Sequence, residues 1–311
     1  MTPQIPPEVL RDRFRGALLG LAAGEALGAP AEFLTAGQIV EKYGVITEMI
    51  GGGCHELQPG ETTDATEMTL CLAESLADTG GFDPEDILRR YVEWFEGRPR
   101  DVSLTVRTVL LSFRAGTHWD IASRRAFEIL GSPTAANGSL MRTVPVGLRY
   151  FDDAEERDRV SQRESMLTHF DRLAGWSCAA FNDLIAAALS GDLRGQVESI
   201  ATSVDDEDRR VSGTLREALD AEPEEIHNSS FVLDTLRAAL WSVVRTGSFE
   251  EALCLTVNLG DDADTSGAVT GALAGALYGE SGIPRRWLDG LLVRDRVTAV
   301  ADRLADLAGA R

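Results

Sequence analysis

The sequence predicts an all-α, single-domain, multi-helix fold, and three observations carry that expectation. Apolar residues recur at helical spacing along most of the 311 residues, and no run of alternating β-branched residues demands a sheet. The hydrophobic content of 44% is ample for a core, with no low-complexity stretch to interrupt it. Two segments, one near each end, place glycine at every fourth position: Gly16, Gly20, Gly24 and Gly28, then Gly267, Gly271, Gly275 and Gly279. Spacing of four lays each set along one stripe of a helix. An interior glycine costs a helix about 1 kcal/mol against alanine, so two such stripes imply a return in packing. A face without side chains lets another helix backbone come unusually close. The two helices are expected to meet in the centre, which joins the ends of the chain in one core and makes residues 1–311 one domain.

The first stripe lies in a helix over residues 6–28, with Leu10, Phe14, Leu18 and Leu21 as its apolar face. The loop Ala29-Pro-Ala-Glu-Phe33 ends it. Residues 44–62 read as irregular, because Gly51-Gly-Gly53 and Pro59-Gly60 are turn signals. Thr62-Thr-Asp-Ala-Thr-Glu-Met68 then opens a helix over 66–77, so Thr63 and Asp64 stand at a helix mouth. Helical patterns follow at 84–96, 102–113 and 120–129, and the small-residue turn Ala135-Ala-Asn-Gly-Ser-Leu-Met-Arg142 feeds a helix at 144–150. Residues 151–165 are highly charged and read as solvated. Leu167-Thr-His-Phe-Asp-Arg172 precedes an apolar helix at 174–189. The acidic stretch 200–229 reads as a surface arm. Helices at 231–244 and 249–257 lead to the second stripe, and one or two amphipathic helices over 287–307 close the chain.

A net charge of -20 and a pI near 4.6 argue against a nucleic-acid backbone or an anionic membrane as a standing partner. They leave room for a nucleotide-like small substrate in one neutralised pocket. The four cysteines lack zinc-site spacing, and Cys71, Cys178 and Cys254 fall in apolar helical patterns as small core residues. His55, His118 and His227 read as surface or loop residues. The first ten residues carry no signal-peptide pattern, and no stretch of about 18 apolar residues is free of charge. The expectation is a soluble, cytoplasmic protein, with a monomer favoured.

The densest chemistry is Asn258-Leu-Gly-Asp-Asp-Ala-Asp-Thr-Ser-Gly267, at the mouth of the second glycine helix. Helix capping explains one acid well and a second tolerably, but not Asp261, Asp262 and Asp264 together with Thr265. Acids at this density repel unless something positive neutralises them, and all-oxygen ligands suit hard cations such as Mg2+, Mn2+ or Ca2+. Three further clusters share the setting of a helix start or tight loop: Glu25 with Glu32, Thr63-Asp64, and Asn137-Gly-Ser139. Thr168-His169 is an accessory to them.

Taken together, these features resemble the ADP-ribosylglycohydrolase family, which includes the dinitrogenase reductase-activating glycohydrolases. The most specific matches are Gly260-Asp-Asp-Ala-Asp-Thr265 with the glycine helix behind it, and Asn137-Gly-Ser-Leu-Met-Arg142 with Pro145. Thr168-His169 and Gly24-Glu-Ala-Leu-Gly-Ala-Pro-Ala-Glu-Phe33 add to them, in matching order and spacing. The resemblance implies an all-α fold holding a pair of Mg2+ or Mn2+ ions and hydrolysis of the C1″ bond between ADP-ribose and its acceptor. It also implies Thr63, Asp64, Asp262, Asp264 and Thr265 as metal ligands, with Asp264 shared. Glu32, over the metals, would join Asp64, Asp262 and Asp264 in catalysis, and Glu32, Asn137, Gly138, Ser139, Met141 and His169 would hold the ADP-ribose. A metal pair can orient ribose hydroxyls and activate water, where a glycosidase ordinarily uses two carboxyl groups.

Three positions depart from the family pattern. Ala65 stands where Asp is usual in Thr-Asp-Asp-Thr, Glu25 where Asp is usual, and Asp261 where Gly is usual. Alanine offers a cation neither charge nor lone pairs, so one of the two ions should be weakened. An introduced inactivating substitution, a natural hydrolase with one firm metal, and a natural binder of ADP-ribose without turnover all fit Ala65. The intact remainder of the constellation favours the first.

Overall fold

A computed structural model describes residues 5–131 and 135–309, in which α-helices and short 3-10 turns carry the fold and β structure is limited to isolated bridges. Helix α1 (Pro7–Gly28) begins with proline at its first position, where a missing N–H costs nothing. It is followed by α2 (Ala36–Tyr43), α3 (Asp64–Thr79), α4 (Pro84–Glu96), α5 (Leu104–Arg114) and α6 (Trp119–Leu130). The middle of the chain forms α7 (Val144–Arg149), α8 (Ala154–Ser165), α9 (Arg172–Ser190), α10 (Leu193–Val204) and α11 (Arg209–Asp220). The last third forms α12 (Val232–Arg245), α13 (Phe249–Val257), α14 (Ala263–Tyr278), α15 (Arg285–Gly290) and α16 (Arg294–Gly309).

The two glycine stripes meet, on α1 and α14, and no other pair of helices is in such extensive contact. They run antiparallel, Gly16 against Gly275, Gly20 against Gly271 and Gly24 against Gly267. A Cβ placed on Gly24 would lie 1.9 Å from the Gly267 carbonyl oxygen, and one on Gly20 2.2 Å from that of Gly271. The last glycine of the first stripe, Gly28, meets the Ala263 carbonyl at the mouth of α14. The pair is enclosed by α3, α9, α12, α13 and α16, and α14 is buried from Ala263 to Ala276.

Four differences from the sequence expectation have physical reasons. Helix α2 is started by chemistry the hydrophobic pattern does not show: Thr35 and Gln38 form a reciprocal capping box. Helix α3 starts at Asp64, two residues earlier than the apolar pattern begins, because polar residues at a helix mouth carry no periodicity. Residues 151–165 are not simply solvated, since α8 buries Arg157, Val160, Ser161 and Glu164. Arg157 pairs with Asp183 on α9, with N–O distances of 2.5 and 2.7 Å, and a charge with a partner can face inward. The stretch expected as an arm holds α11 and the end of α10, and Val211, Leu215 and Ala218 are packed inward beneath a charged outer face. Its apolar positions at helical spacing are masked by acidic neighbours. Helix α9 is long and apolar enough to cross a membrane, but 78% of its apolar window is buried within the fold.

Gly24→Ala should cost about 3 kcal/mol or more in urea unfolding, since the added methyl meets backbone that cannot move alone. Gly213→Ala, on α11 with nothing within 4 Å of the new Cβ, should instead stabilise by up to about 1 kcal/mol. Equal effects at the two positions would refute the packing account of the stripe.

Candidate metal and substrate site

The close approach of α1 to α14 puts Glu25 beside the first turn of α3. Glu25 is 1% exposed and accepts from the Thr63 hydroxyl at 2.8 Å, the Ala65 N–H at 3.0 Å and the Thr66 N–H at 3.2 Å. The Thr66 hydroxyl donates to it as well. A carboxylate from another helix thus caps α3, which has no side-chain cap of its own. Burial raises the Glu25 pKa, against the lowering effect of these donors. The result is that Thr63 and Asp64 are held at a fixed helix mouth, both about 6% exposed.

The mouth of α14 is tied to the loop carrying Glu32. The Phe33 N–H donates to the Asp261 carbonyl, and the Asp261 N–H to the Leu34 carbonyl, each at 2.7 Å. Asp261 has φ +51°, in the left-handed region that favours glycine and that aspartate tolerates better than most residues. That accounts for an aspartate where glycine is usual. Asn228 steadies the same turn, donating to the Gly260 carbonyl at 2.6 Å and accepting from the Ser266 hydroxyl. Asp262, Asp264 and Thr265 are left at the start of the helix, with Asp262 in electrostatic reach of Asp64 and Asp264 in reach of Glu25.

Asp64 and Asp264 are both pushed well above the usual carboxylate range. Burial is the main cause for each, and neighbouring carboxylates come next. Asp64 feels Asp101, Glu25, Asp262 and Glu32; Asp264 feels Glu32, Asp262 and Glu25. The Asp264 Oδ1 atom is buried without a hydrogen-bond partner. Buried acids that raise one another's pKa, with an orphaned oxygen among them, fit a hard divalent cation well. Asp101, on the loop before α5, belongs to this group. Sequence reasoning passed over it because a lone acid in a loop carries no signal until the fold places it.

The Asn137 turn reaches the same place from a third direction. Its amide donates to Asp262 at 2.6 Å and to Thr235 at 2.8 Å, and its N–H donates to the Ser230 carbonyl at 2.9 Å. Gly138 leaves room for the His169 ring, which would lie 3.0 Å from a Cβ there. The Ser139 hydroxyl is turned into the core, toward Ser165 at 2.8 Å and Cys178 at 3.5 Å, so its backbone is what it can offer a ligand. Met141 is buried beside it. Below the turn, Arg142 and Glu164 form a fully buried pair at 2.7 Å. Arg142 donates to the Thr168 hydroxyl at 2.8 Å, and that hydroxyl shares a hydrogen bond with His169 Nδ1 at 2.7 Å. His169 is 1% exposed. Its pKa is lowered to about 3, by burial first and by Arg142 second.

The reading of Cys54 and His55 needs correction. Both face Glu32, with Cys54 Sγ 2.9 Å and His55 Nε2 3.2 Å from its Oε2 atom. Adjacent positions in a glycine-rich loop carry no metal-site spacing, and the third member comes from another loop.

The sequence model of the ADP-ribosylglycohydrolase family matches residues 6–311. An ADP-ribosylarginine hydrolase of Serratia proteamaculans is 34% identical over 98% of this chain and 82% of its own. An ADP-ribosyl-dinitrogen reductase glycohydrolase of Rhodospirillum rubrum is 35% identical over 96% of this chain and 98% of its own. A solved structure described as an ADP-ribosylglycohydrolase-related protein complex superposes with a TM-score of 0.81 at 36% identity, covering 97% of this chain and 99% of the other.

Two measurements test this geometry. Nitrogen shifts of His169 should show a neutral imidazole throughout the range from about pH 5 to about pH 8, and any titration there would contradict its burial beside Arg142. Because its folded pKa lies below the free value of 6.5, its stability contribution is complete above about pH 6.5 and is lost as pH falls toward about 3. Asp261→Gly should raise unfolding stability by about 1 kcal/mol, by relieving the left-handed backbone. A loss of stability would show that the Asp261 side chain matters more than its backbone.

Proposed function

The chain belongs to the ADP-ribosylglycohydrolase family, and from that premise we propose that it hydrolyses the C1″ glycosidic bond of ADP-ribose attached to an arginine side chain, with Mg2+ or Mn2+ as cofactor. The observation that carries this reading is the meeting of acids from the mouths of α3 and α14, buried and leading one another's pKa upward. Thr63, Asp64, Asp262, Asp264 and Thr265 would hold the ions, in an all-oxygen set suited to hard cations. When bound, such ions orient ribose hydroxyls and lower the pKa of water so that it can act as nucleophile.

The chain's own groups do the rest. Glu25 keeps Thr63 and Asp64 in place through the first turn of α3. Asn137 fixes the orientation of Asp262. Glu32 stands on the loop that pairs with the α14 mouth, where it can contact the substrate ribose. The Asn137-Gly138-Ser139 turn and neutral His169 offer hydrogen bonds without bringing positive charge near the ions. An arginine acceptor is supported by the activity named for the Serratia relative. Its guanidinium would also find a favourable field beside Asp101 and Glu32, two of the acids that raise the Asp64 pKa.

Ala65 takes one carboxylate from the set, and we read it with Glu25 as a matched pair. Glu25, one methylene longer than the usual aspartate, binds the Ala65 N–H itself, so its carboxylate already occupies the mouth beside position 65. This favours natural divergence over an introduced change. The second reading, an ADP-ribose binder without turnover, rests on the same missing carboxylate.

The test is release of ADP-ribose from ADP-ribosylarginine, with product identified by mass, for the wild type and for the double variant Glu25→Asp/Ala65→Asp. Chelation should abolish release, and the double variant should bind Mg2+ about tenfold tighter by calorimetry, with the two substitutions non-additive. Tight ADP-ribose binding with no release from either protein would select the binder. AMP or phosphate as product would overturn glycosidic cleavage.

A further inference from the structure

Glu32 is held from one side by the α14 mouth and from the other by a second loop whose chemistry is different. Residues 51–57 form a closed turn: the Gly52 N–H donates to the Leu57 carbonyl at 2.7 Å, and the Leu57 N–H returns to Gly52 at 2.9 Å. Gly53, with φ +70°, packs directly on the Ala29 carbonyl, where an added Cβ would lie 2.3 Å away. Arg100 holds the far side by donating to the His55 carbonyl at 3.2 Å and to Glu61 at 3.0 Å. The turn is thus docked on the segment that carries Glu32, and its two tip residues are Cys54 and His55.

Their ligand atoms and that of Glu32 all lie within 4.8 Å of one another. His55 Nε2 is buried at 3.2 Å from Glu32 Oε2, yet out of line for a hydrogen bond, and has no other partner. The Cys54 side chain is open to solvent, which gives an ion a way in. Sulfur, imidazole and one carboxylate form a soft, mixed donor set, unlike the all-oxygen set at α3 and α14, and suit Zn2+ over Mg2+.

We propose that Glu32, Cys54 and His55 form a binding site for one thiophilic divalent cation, Zn2+ as the first candidate, separate from the oxygen-lined centre. Binding replaces the Cys54 S–H···Glu32 hydrogen bond by sulfur–metal and oxygen–metal bonds, and the thiol proton leaves to solvent. The three protein ligands leave a fourth position for water. Because Glu32 is a ligand, filling the site withdraws it from the neighbouring centre. Zn2+ then acts as a brake on turnover. The braking step rests on the hydrolase reading above; the binding step does not.

The experiment uses the full chain saturated with Mg2+, so that the oxygen-lined centre is not free to take the probe. Co2+ is added first, and a thiolate-to-cobalt charge-transfer band in the near ultraviolet reports sulfur ligation. Zn2+ should then displace Co2+ with a stoichiometry of one. The band should vanish in Cys54→Ser, remain in Cys254→Ser, and need about tenfold more Co2+ or higher in His55→Ala. No band in the wild type, or a band that survives Cys54→Ser, overturns the site. In the hydrolysis assay, the ratio of rates with and without Zn2+ should fall for the wild type and stay near one for Cys54→Ser. Equal inhibition of both would leave the binding site standing and overturn the brake. Absence of hydrolysis in every protein would strike the hydrolase reading, with the cobalt spectrum still deciding the site.

Discussion

The contact between the glycine faces of α1 and α14 is the constraint on which the rest of the molecule depends. With carbonyl oxygens where side chains would be, the two backbones approach closely enough that Glu25 on one helix and Asp264 on the other interact electrostatically. That approach is stabilised by dispersion between backbones over three turns, and it tolerates no added methyl. It also sets the depth of the site. A conventional pair of leucine-faced helices would stand 8–10 Å apart, roughly the usual interaxial spacing, and would separate the two acidic mouths.

Much of this was legible in the residues. A glycine period of four in two places has few explanations in a soluble chain, and it located the central pair directly. The family motifs then indicated which acids to look for at the two mouths. What could not be read was anything that depends on partners distant in sequence. Arg157 and Glu164 lie in one of the most charged stretches of the chain, yet both are buried, because Asp183 and Arg142 meet them. Glu25 looked like a departure from a ligand pattern, and its role as the cap of α3 required knowing which helix mouth it faces. Asp101, Cys54 and His55 had no signal of their own.

The departures at Asp261 and Glu25 illustrate how a family pattern tolerates change. At Asp261 the backbone conformation is retained and the residue type varies among those that reach the left-handed region. At Glu25 the hydrogen-bonding duty is retained and the reach of the side chain varies. Ala65 is of another kind, since alanine offers no carboxylate at the α3 mouth, and under the proposed function its consequence falls on ion binding.

Two buried charged groups lie near one another and must be explained differently. Arg142 and Glu164 are fully enclosed, but their charges are opposite: the guanidinium reaches Glu164 Oε1, the Gly138 carbonyl and Thr168, and leaves only Glu164 Oε2 without a partner. Their desolvation is offset internally, and they act as a scaffold for the turn that carries Asn137. Asp64 and Asp264 are buried to a similar degree, with other carboxylates as their chief electrostatic neighbours. A fold gains nothing by keeping such a cluster, because protonating the acids or replacing them by apolar residues would relieve it. Under the proposed function a bound cation relieves that strain, and the sign of the cluster is what that proposal rests on. This is why the functional reading follows from the acids at the helix mouths and not from the larger number of charged residues buried elsewhere.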